Sequence, residues 1–366
     1  MGATLVYPNV DAIAEVKVLT SNYGAQYGRN GSGTIETVTK SGTKDFHGDV
    51  FEFVRNEDFN ARNFFNFQSS VPEYRKNDFG YTIGGPVFIP RVYNTKKEKT
   101  FFFFSEEWRR EIVPGGIFNQ QVPSAQERQG NFSDVCPASG SLLNPSFPDC
   151  PVNPQTGQYY PNNTVTVDSN AQYLLPLMPL ANQPNNYYNA SPALPTHWRE
   201  ELFRIDQNFN DKLRMFFRFI HDSWSQTQPT PTWGNGASFP TVQTNFVGPG
   251  VSLVANLTAN ISPTLLNEFT FSYTTDHIFL NAVGPVARPA GMTMTGLYNN
   301  GFGGLLPTVG TTGGINYDTN GFGLDTGYFP WNNANPTYTY KDQLTRIVGG
   351  HNLYWAPTWL RRKRTR

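Results

Sequence analysis

Nowhere do the 366 residues hold an apolar run long enough for a membrane-spanning helix, which excludes a helical membrane protein. Charge of neither sign is in excess: Lys plus Arg and Asp plus Glu are 28 each, so nothing in the balance argues for nucleic acid or an acidic partner. Cysteine is scarce, with only Cys136 and Cys150. The five histidines, His47, His197, His221, His277 and His351, are scattered without metal-ligand spacing. The opening, Met1 to Asn9, lacks the basic-then-apolar order of a secretory leader.

What is abundant is aromatic. Twenty-nine Phe and eighteen Tyr accompany a negative mean hydropathy, an awkward mixture for a soluble globule. It suits a chain that turns aromatics to lipid and polar groups to a watery lumen. The order of residues supports this. Phe203, Ile205 and Phe209 alternate with Arg204, Asp206 and Asn208; after a turn at Asn210-Asp211-Lys212, Leu213, Met215, Phe217 and Phe219 alternate with Arg214, Arg218 and Asp222. A second hairpin about Ser262-Pro263-Thr264 sets Val251, Leu253, Ala255, Leu257 and Ile261 against Ser252, Asn256, Thr258 and Asn260. Its return strand sets Phe269, Phe271 and Tyr273 against Glu268, Thr270 and Ser272. Period-2 amphipathic segments of about ten residues are the pattern of transmembrane β-strands.

The sequence predicts about nine such strands, near 46–55, 78–88, 99–111, 199–209, 213–223, 250–261, 265–278, 337–348 and 351–360. Alternation is impure in the first, where Phe51 and Phe53 share a face with His47, Asp49 and Arg55. The connections alternate in length. Those at 56–77, 112–198, 224–249 and 279–336 are long; those at 89–98, 210–212, 262–264 and Gly349-Gly350 are shorter. Bacterial barrels have short periplasmic turns and long external loops, so the long segments are expected outside the cell. An odd strand number leaves an unpaired edge in lipid, and closure without further strands is not expected.

Residues 8–65, PNVDAIAEVKVLTSNYGAQYGRNGSGTIETVTKSGTKDFHGDVFEFVRNEDFNARNFF, resemble the end of the plug and the first barrel strand of TonB-dependent outer-membrane receptors, in particular the Oar-like group. The resemblance continues in order through NDFGYTIGGPVFIP (77–90), KTFFFFSEEWRR (99–110), VPSAQERQGNFSD (122–134), RIDQNFNDKLRMFFRF (204–219), ISPTLLNEFTFSY (261–273) and KDQLTRIVGGHNL (341–353). It implies an all-β chain: a partial antiparallel transmembrane β-barrel, about nine strands of roughly 22, preceded by the C-terminal part of a plug. Residues 1–44 would be plug, 45–360 barrel with the long extracellular loops, and 361–366 a basic tail outside the family pattern.

The implied activity is energised uptake of an external ligand (oligosaccharide, peptide or metal chelate) into the periplasm, with outer-membrane lipid as surroundings and the TonB complex as partner of the full-length parent. No enzyme activity, cofactor or nucleic acid is expected. The chain is expected to be a fragment, inactive by itself: TonB-contacting and export segments are not seen before it, and from about Leu353 the ending YWAPTWLRRKRTR departs from the pattern, as a shifted reading frame would produce. Two other readings stay open, an outer-membrane adhesion or structural protein without transport, and a soluble secreted β-rich carbohydrate-binding module.

Candidate chemistry is sparse. Gly28, Arg29, Gly31 and Gly33 could cradle a phosphate, but no helix pattern follows, and a turn between plug strands is the simpler reading. Glu106 with Glu107, and Glu200 with Glu201, resemble carboxylate pairs, yet neighbours on a strand point to opposite faces. Arg204, Arg214 and Arg218 share a polar face on which Asp206 and Glu268 are candidate lumen-facing partners. Trp108, Tyr273, Tyr338 and Tyr340 suit an interfacial girdle. Cys136 and Cys150 would close a disulfide ring of about 15 residues, constraining one loop by about 3 kcal/mol. The terminal RRKRTR is expected to reflect the altered frame rather than a nucleic-acid patch.

Overall fold

The computed structural model describes residues 6, 8–20, 33–67, 71–136, 150–233, 237–293, 304–310, 323–325, 327 and 329–363. Among them no helix is long and apolar enough to cross a membrane. The chain opens with a short 3-10 turn, Val10–Ala12, capped by the Asn9 side chain, which accepts from Asp11 N at 2.7 Å. Strands β1 (Ile13–Leu19) and β2 (Thr34–Thr39) follow as an antiparallel pair.

Twelve further strands make one antiparallel sheet. They are β3 (His47–Asn56), β4 (Arg75–Pro86), β5 (Thr100–Pro114), β6 (Ala193–Asn210), β7 (Leu213–Gln228), β8 (Gln243–Val247), β9 (Gly250–Ser262), β10 (Leu265–Val283), β11 (Trp331–Ala334), β12 (Thr337–Val348), β13 (His351–Trp355) and β14 (Thr358–Arg362). Each strand pairs with the next position along the chain, but three positions are shared by two strands: β8 and β9 lie between β7 and β10, β11 and β12 both pair with β10, and β13 and β14 both pair with β12. Every break falls at a proline, Pro249, Pro336 or Pro357, where the ladder lacks a donor. Their carbonyls still serve the sheet: His277 N donates to Pro249 O at 2.8 Å and Asp342 N to Pro357 O at 3.1 Å.

Strands of this sheet overlap each segment that the sequence assigns to a strand. Among the described residues β3 does not pair with β13 or β14, and the sheet is open. Pairing runs through Arg362, past the point near Leu353 where the sequence leaves the expected pattern.

The strands are longer than read from sequence, and the excess lies at the long-connection ends. β6, β7 and β10 have 18, 16 and 19 residues. At about 3.3 Å per residue they outreach a hydrocarbon layer of about 30 Å. Their outer faces mark where lipid ends. Leu213, Met215, Phe217 and Phe219 face outward on β7, and the next outward residue, His221, places Nδ1 2.8 Å from Glu201 Oε2. In the same belt Arg199 bridges Glu106 at 2.6 Å and Glu201 at 2.8 Å, and Tyr81 Oη donates to Glu106 at 2.9 Å. Trp108 stacks on Phe79 with centroids 5.6 Å apart; lower on the sheet Tyr273 meets Tyr338 at 4.9 Å and Tyr340 meets Phe271 at 5.0 Å.

The impure alternation of β3 has a packing cause. Gly80 and Gly84 of β4 lie opposite Phe51 and His47. A Cβ at either glycine would come within 2.7 Å of Phe51 Cζ or 2.8 Å of His47 Nε2. The rings of β3 thus fill the inward space that the glycines leave open, a close approach only glycine permits.

The long connections are not loose. Val122, Met178 and Phe239 form one buried cluster, and Leu177, Met292, Leu306 and Leu324 another, so segments far apart in sequence cap the sheet with small cores of their own. Arg128 fastens one of them, donating to Leu175 O, Met178 O and Pro179 O at 2.8, 3.2 and 2.6 Å. Cys136 and Cys150 are disulfide-linked within this cap, Cα atoms 5.5 Å apart.

Candidate functional site

The inner face of the sheet is where the N-terminal segment docks. Phe103 on β5, Leu202 on β6 and Ile220 on β7 form a buried layer with Val6 and Ala12. Phe103, Leu202 and Ala12 are wholly inaccessible. Burying side chains of this size is worth about 1.5–3 kcal/mol each. One turn-side step away, Arg204 Nη1 donates to Thr39 O at 2.8 Å while its Nη2 pairs with Asp206 at 2.7 Å, and Phe216 lies beneath its guanidinium at 4.5 Å. A β-hairpin is thus held to a sheet wall by an apolar layer and one guanidinium.

Of the residues expected on the polar face, Arg204, Asp206, Arg214, Arg218 and Glu268 all face inward. Asp206, Arg214 and Glu268 line a cavity of about 450 Å³ on the short-turn side, together with Ser41, Gly42 and Asn256. Arg214 and Glu268 share the cavity wall, and no ion pair joins them among the described residues. Arg218 lies directly opposite Arg204 in the register. Its Nε is buried without a hydrogen bond, because the neighbouring position holds a like charge instead of a carboxylate. Gly28, Arg29 and Gly31 lie outside the described residues; Gly33 precedes β2, where an added Cβ would come within 2.9 Å of Leu19 O.

The adjacent glutamates separate as expected, Glu106 outward to Arg199 and Glu107 inward. Register then creates what spacing could not reveal. Glu107, Glu200 and Asp222 are consecutive cross-strand partners on β5, β6 and β7, in one row beside the buried layer. Glu200 is wholly inaccessible and neither of its oxygens meets a donor at bonding geometry. A second cavity of about 450 Å³ lies on the long-connection side of this row, between Pro8 and Val10 of the docked segment and a wall of Glu107, Arg109, Glu111, Trp198, Trp224 and Gln226.

Outside the sheet, Glu57 clasps the first long connection. It accepts from Arg75 Nε and Nη2 at 3.1 and 3.0 Å and from Tyr74 N at 3.3 Å. Its own backbone N–H, then Arg75, hold this carboxyl below the usual range.

The chain matches known proteins along nearly its whole length. A 103-residue stretch is 29% identical to the TonB-dependent transporter Oar of Myxococcus xanthus, covering 26% of this chain and 9% of that protein. The crystal structure of the outer membrane transporter YddB from Escherichia coli is similar in fold, with a TM-score of 0.51 and 11% identity over 97% of this chain and 35% of that one. The chain therefore spans about a third of the YddB chain, and its match covers under a tenth of Oar. A family model described as an outer membrane beta barrel domain matches residues 38–361. That placement sets aside the soluble carbohydrate-binding module, and the chain belongs to the outer membrane beta barrel domain family.

Proposed function

We propose that this chain forms part of an Oar-like TonB-dependent receptor that takes up an external ligand. Residues 1–44 contribute the C-terminal part of the plug, and 45–360 contribute nine strands of a barrel of roughly 22. The observation that carries the reading is the docking of the β1–β2 segment on the inner, polar face of a membrane sheet, through Val6, Ala12 and the Thr39–Arg204 bond. A plug must seal the wall and be able to leave it. One apolar layer with a few polar tethers satisfies both demands better than an extended core would. The capped long connections and the cavity beneath them supply an external binding side, and the short turns face the periplasm. Outer-membrane lipid surrounds the apolar band, and the TonB complex engages the parent protein. Transport, not bond chemistry, is the activity.

The test is growth of cells carrying the intact parent gene on a medium whose use requires that gene. Growth lost on removing TonB supports uptake. Growth independent of TonB, or surface adhesion without uptake, overturns the reading.

A further inference from the structure

The docked segment divides the inner wall into two halves of opposite charge. On the long-connection side, register brings inward Asp78, Glu107, Glu111, Glu200, Asp222 and Asp276, against Arg55, Lys76 and Arg109. On the short-turn side Arg204, Arg214, Arg218 and Lys341 face Asp206 and Glu268. The outward half is the acidic one.

Within it, the chain already holds one organic cation. The Arg109 guanidinium lies 4.9 Å from the centre of the Trp198 ring, while its Nη2 reaches Asp78 at 3.2 Å and Glu107 at 3.3 Å. Trp224 is the direct cross-strand partner of Trp198 and lines the same cavity. It offers the same kind of ring to whatever enters. Beside it Gln226 is fixed at both ends of its amide: Nε2 donates to Thr196 Oγ1 at 2.9 Å and Oε1 accepts from Gln228 Nε2 at 3.2 Å. One row deeper stands the buried carboxylate of Glu200, with neither oxygen bonded. The acidic groups are not gathered in metal-binding geometry: no cluster of three or more His, Cys, Asp or Glu suited to a metal ion occurs among the described residues.

We propose that the cavity between residues 8–10 and the Trp198–Trp224 wall binds an alkylammonium or guanidinium group, stacked on Trp224 and paired with Glu111. This names the ligand class of the receptor proposed above and rests on that reading. A cavity of about 450 Å³ has the size of a small-ligand pocket. Its pairing of an indole face with carboxylates is the combination that holds an organic cation, and a polyanionic chelate would meet more like charge than opposite. Two sources carry such groups, basic peptides and free polyamines.

The test is tryptophan fluorescence titration of the full chain in a maltoside detergent with triarginine, trilysine, spermidine and triglutamate. Triarginine or trilysine is expected to bind with an affinity that falls as salt rises, and triglutamate is not expected to bind. Trp224→Leu should weaken triarginine about tenfold and Glu111→Gln about threefold, the range of a cation–π contact and a partly exposed charge pair. Should the tryptophan variant fail to fold, Glu111→Gln with the salt dependence decides. Tighter binding of the peptides than of spermidine assigns a basic peptide; the reverse assigns a polyamine. Equal binding of triglutamate, no binding of any cation, or affinities unmoved by the substitutions overturn the proposal. TonB-dependent growth alongside any of these results would leave the transport reading intact and remove only the ligand class.

Discussion

Phe217 and Arg218 sit one residue apart on β7, yet they answer to different surroundings. The outer face that carries Phe203, Ile205, Phe217 and Phe219 requires only that side chains be apolar over a band about as thick as a bilayer. The inner face, with Leu202, Arg204, Arg218 and Ile220, must be specific: two of these four join the layer that receives Val6 and Ala12, and one donates to Thr39. Lipid accepts any apolar outline, whereas a docked hairpin accepts only its complement. Substitutions on the outer face should therefore be judged by polarity, and those on the inner face by shape and partner.

The largest effect is expected at Phe103. Truncation to Ala removes a wholly buried ring from the docking layer, a change that costs about 3–5 kcal/mol. Hydrogen exchange of the Ala12 and Lys40 amides, bonded to Asn9 O and Ala12 O, should accelerate by two orders of magnitude or more, roughly what that energy implies. Phe104→Ala, one residue along on the lipid side, should leave those amides unchanged. Equal acceleration in both variants would erase the distinction between the faces.

Next in size is a reversal of sign between neighbours. Phe217→Arg places a charge in the apolar band and should destabilise the sheet in detergent or lipid by about 2–4 kcal/mol. Arg218→Leu removes a half-buried guanidinium that faces Arg204 and whose Nε is buried without a partner, so stability should hold or rise. Denaturant titration of both variants in the same micelles reads the pair directly. Arg204→Met comes third. It deletes charged hydrogen bonds to Thr39 and Asp206, worth about 1.5–3 kcal/mol. Exchange should rise in β2 and not in β1's outer edge, and uniform loosening of the sheet would contradict a tether role.

The two faces were also unequally legible in the sequence. Alternation located strands because lipid imposes polarity at every second residue over the band. Beyond the band that demand ceases: Arg199, Glu201 and His221 face outward as a hydrogen-bonded belt, the period disappears, and β6, β7 and β10 ran on unread into what looked like loop. The acidic row of Glu107, Glu200 and Asp222 was hidden for another reason. Its members are neighbours only through register, across a connection of 78 residues between β5 and β6 in one case, and no spacing encodes that. The Trp198–Trp224 wall was missed likewise, although both indoles could have been paired by counting outward from the Asn210 turn. The packed cap was missed because Val122 and Met178 stand far apart within one connection, Phe239 comes from the next, and the three show no period at all.

The smallest expected effect lies outside both faces, at the Glu57–Arg75 clasp. Because Glu57 titrates below the ordinary carboxylate range when folded, its contribution is complete above the unfolded value and is lost as pH falls through the lowered one. Acidification should thus free residues 57–67 and 71–74 before it disturbs the sheet. Exchange in that segment, corrected for the intrinsic rate at each pH, should rise in the wild-type chain as acid is added. Glu57→Gln should show the raised rate at neutral pH already, with no further acid step. The clasp is solvent-exposed and joins only the first connection to β4, so global unfolding should not move. If acid loosened β3 and β4 together with the loop, the clasp would belong to the sheet's own stability, and the line drawn here between membrane wall and external connections would have to shift toward the membrane.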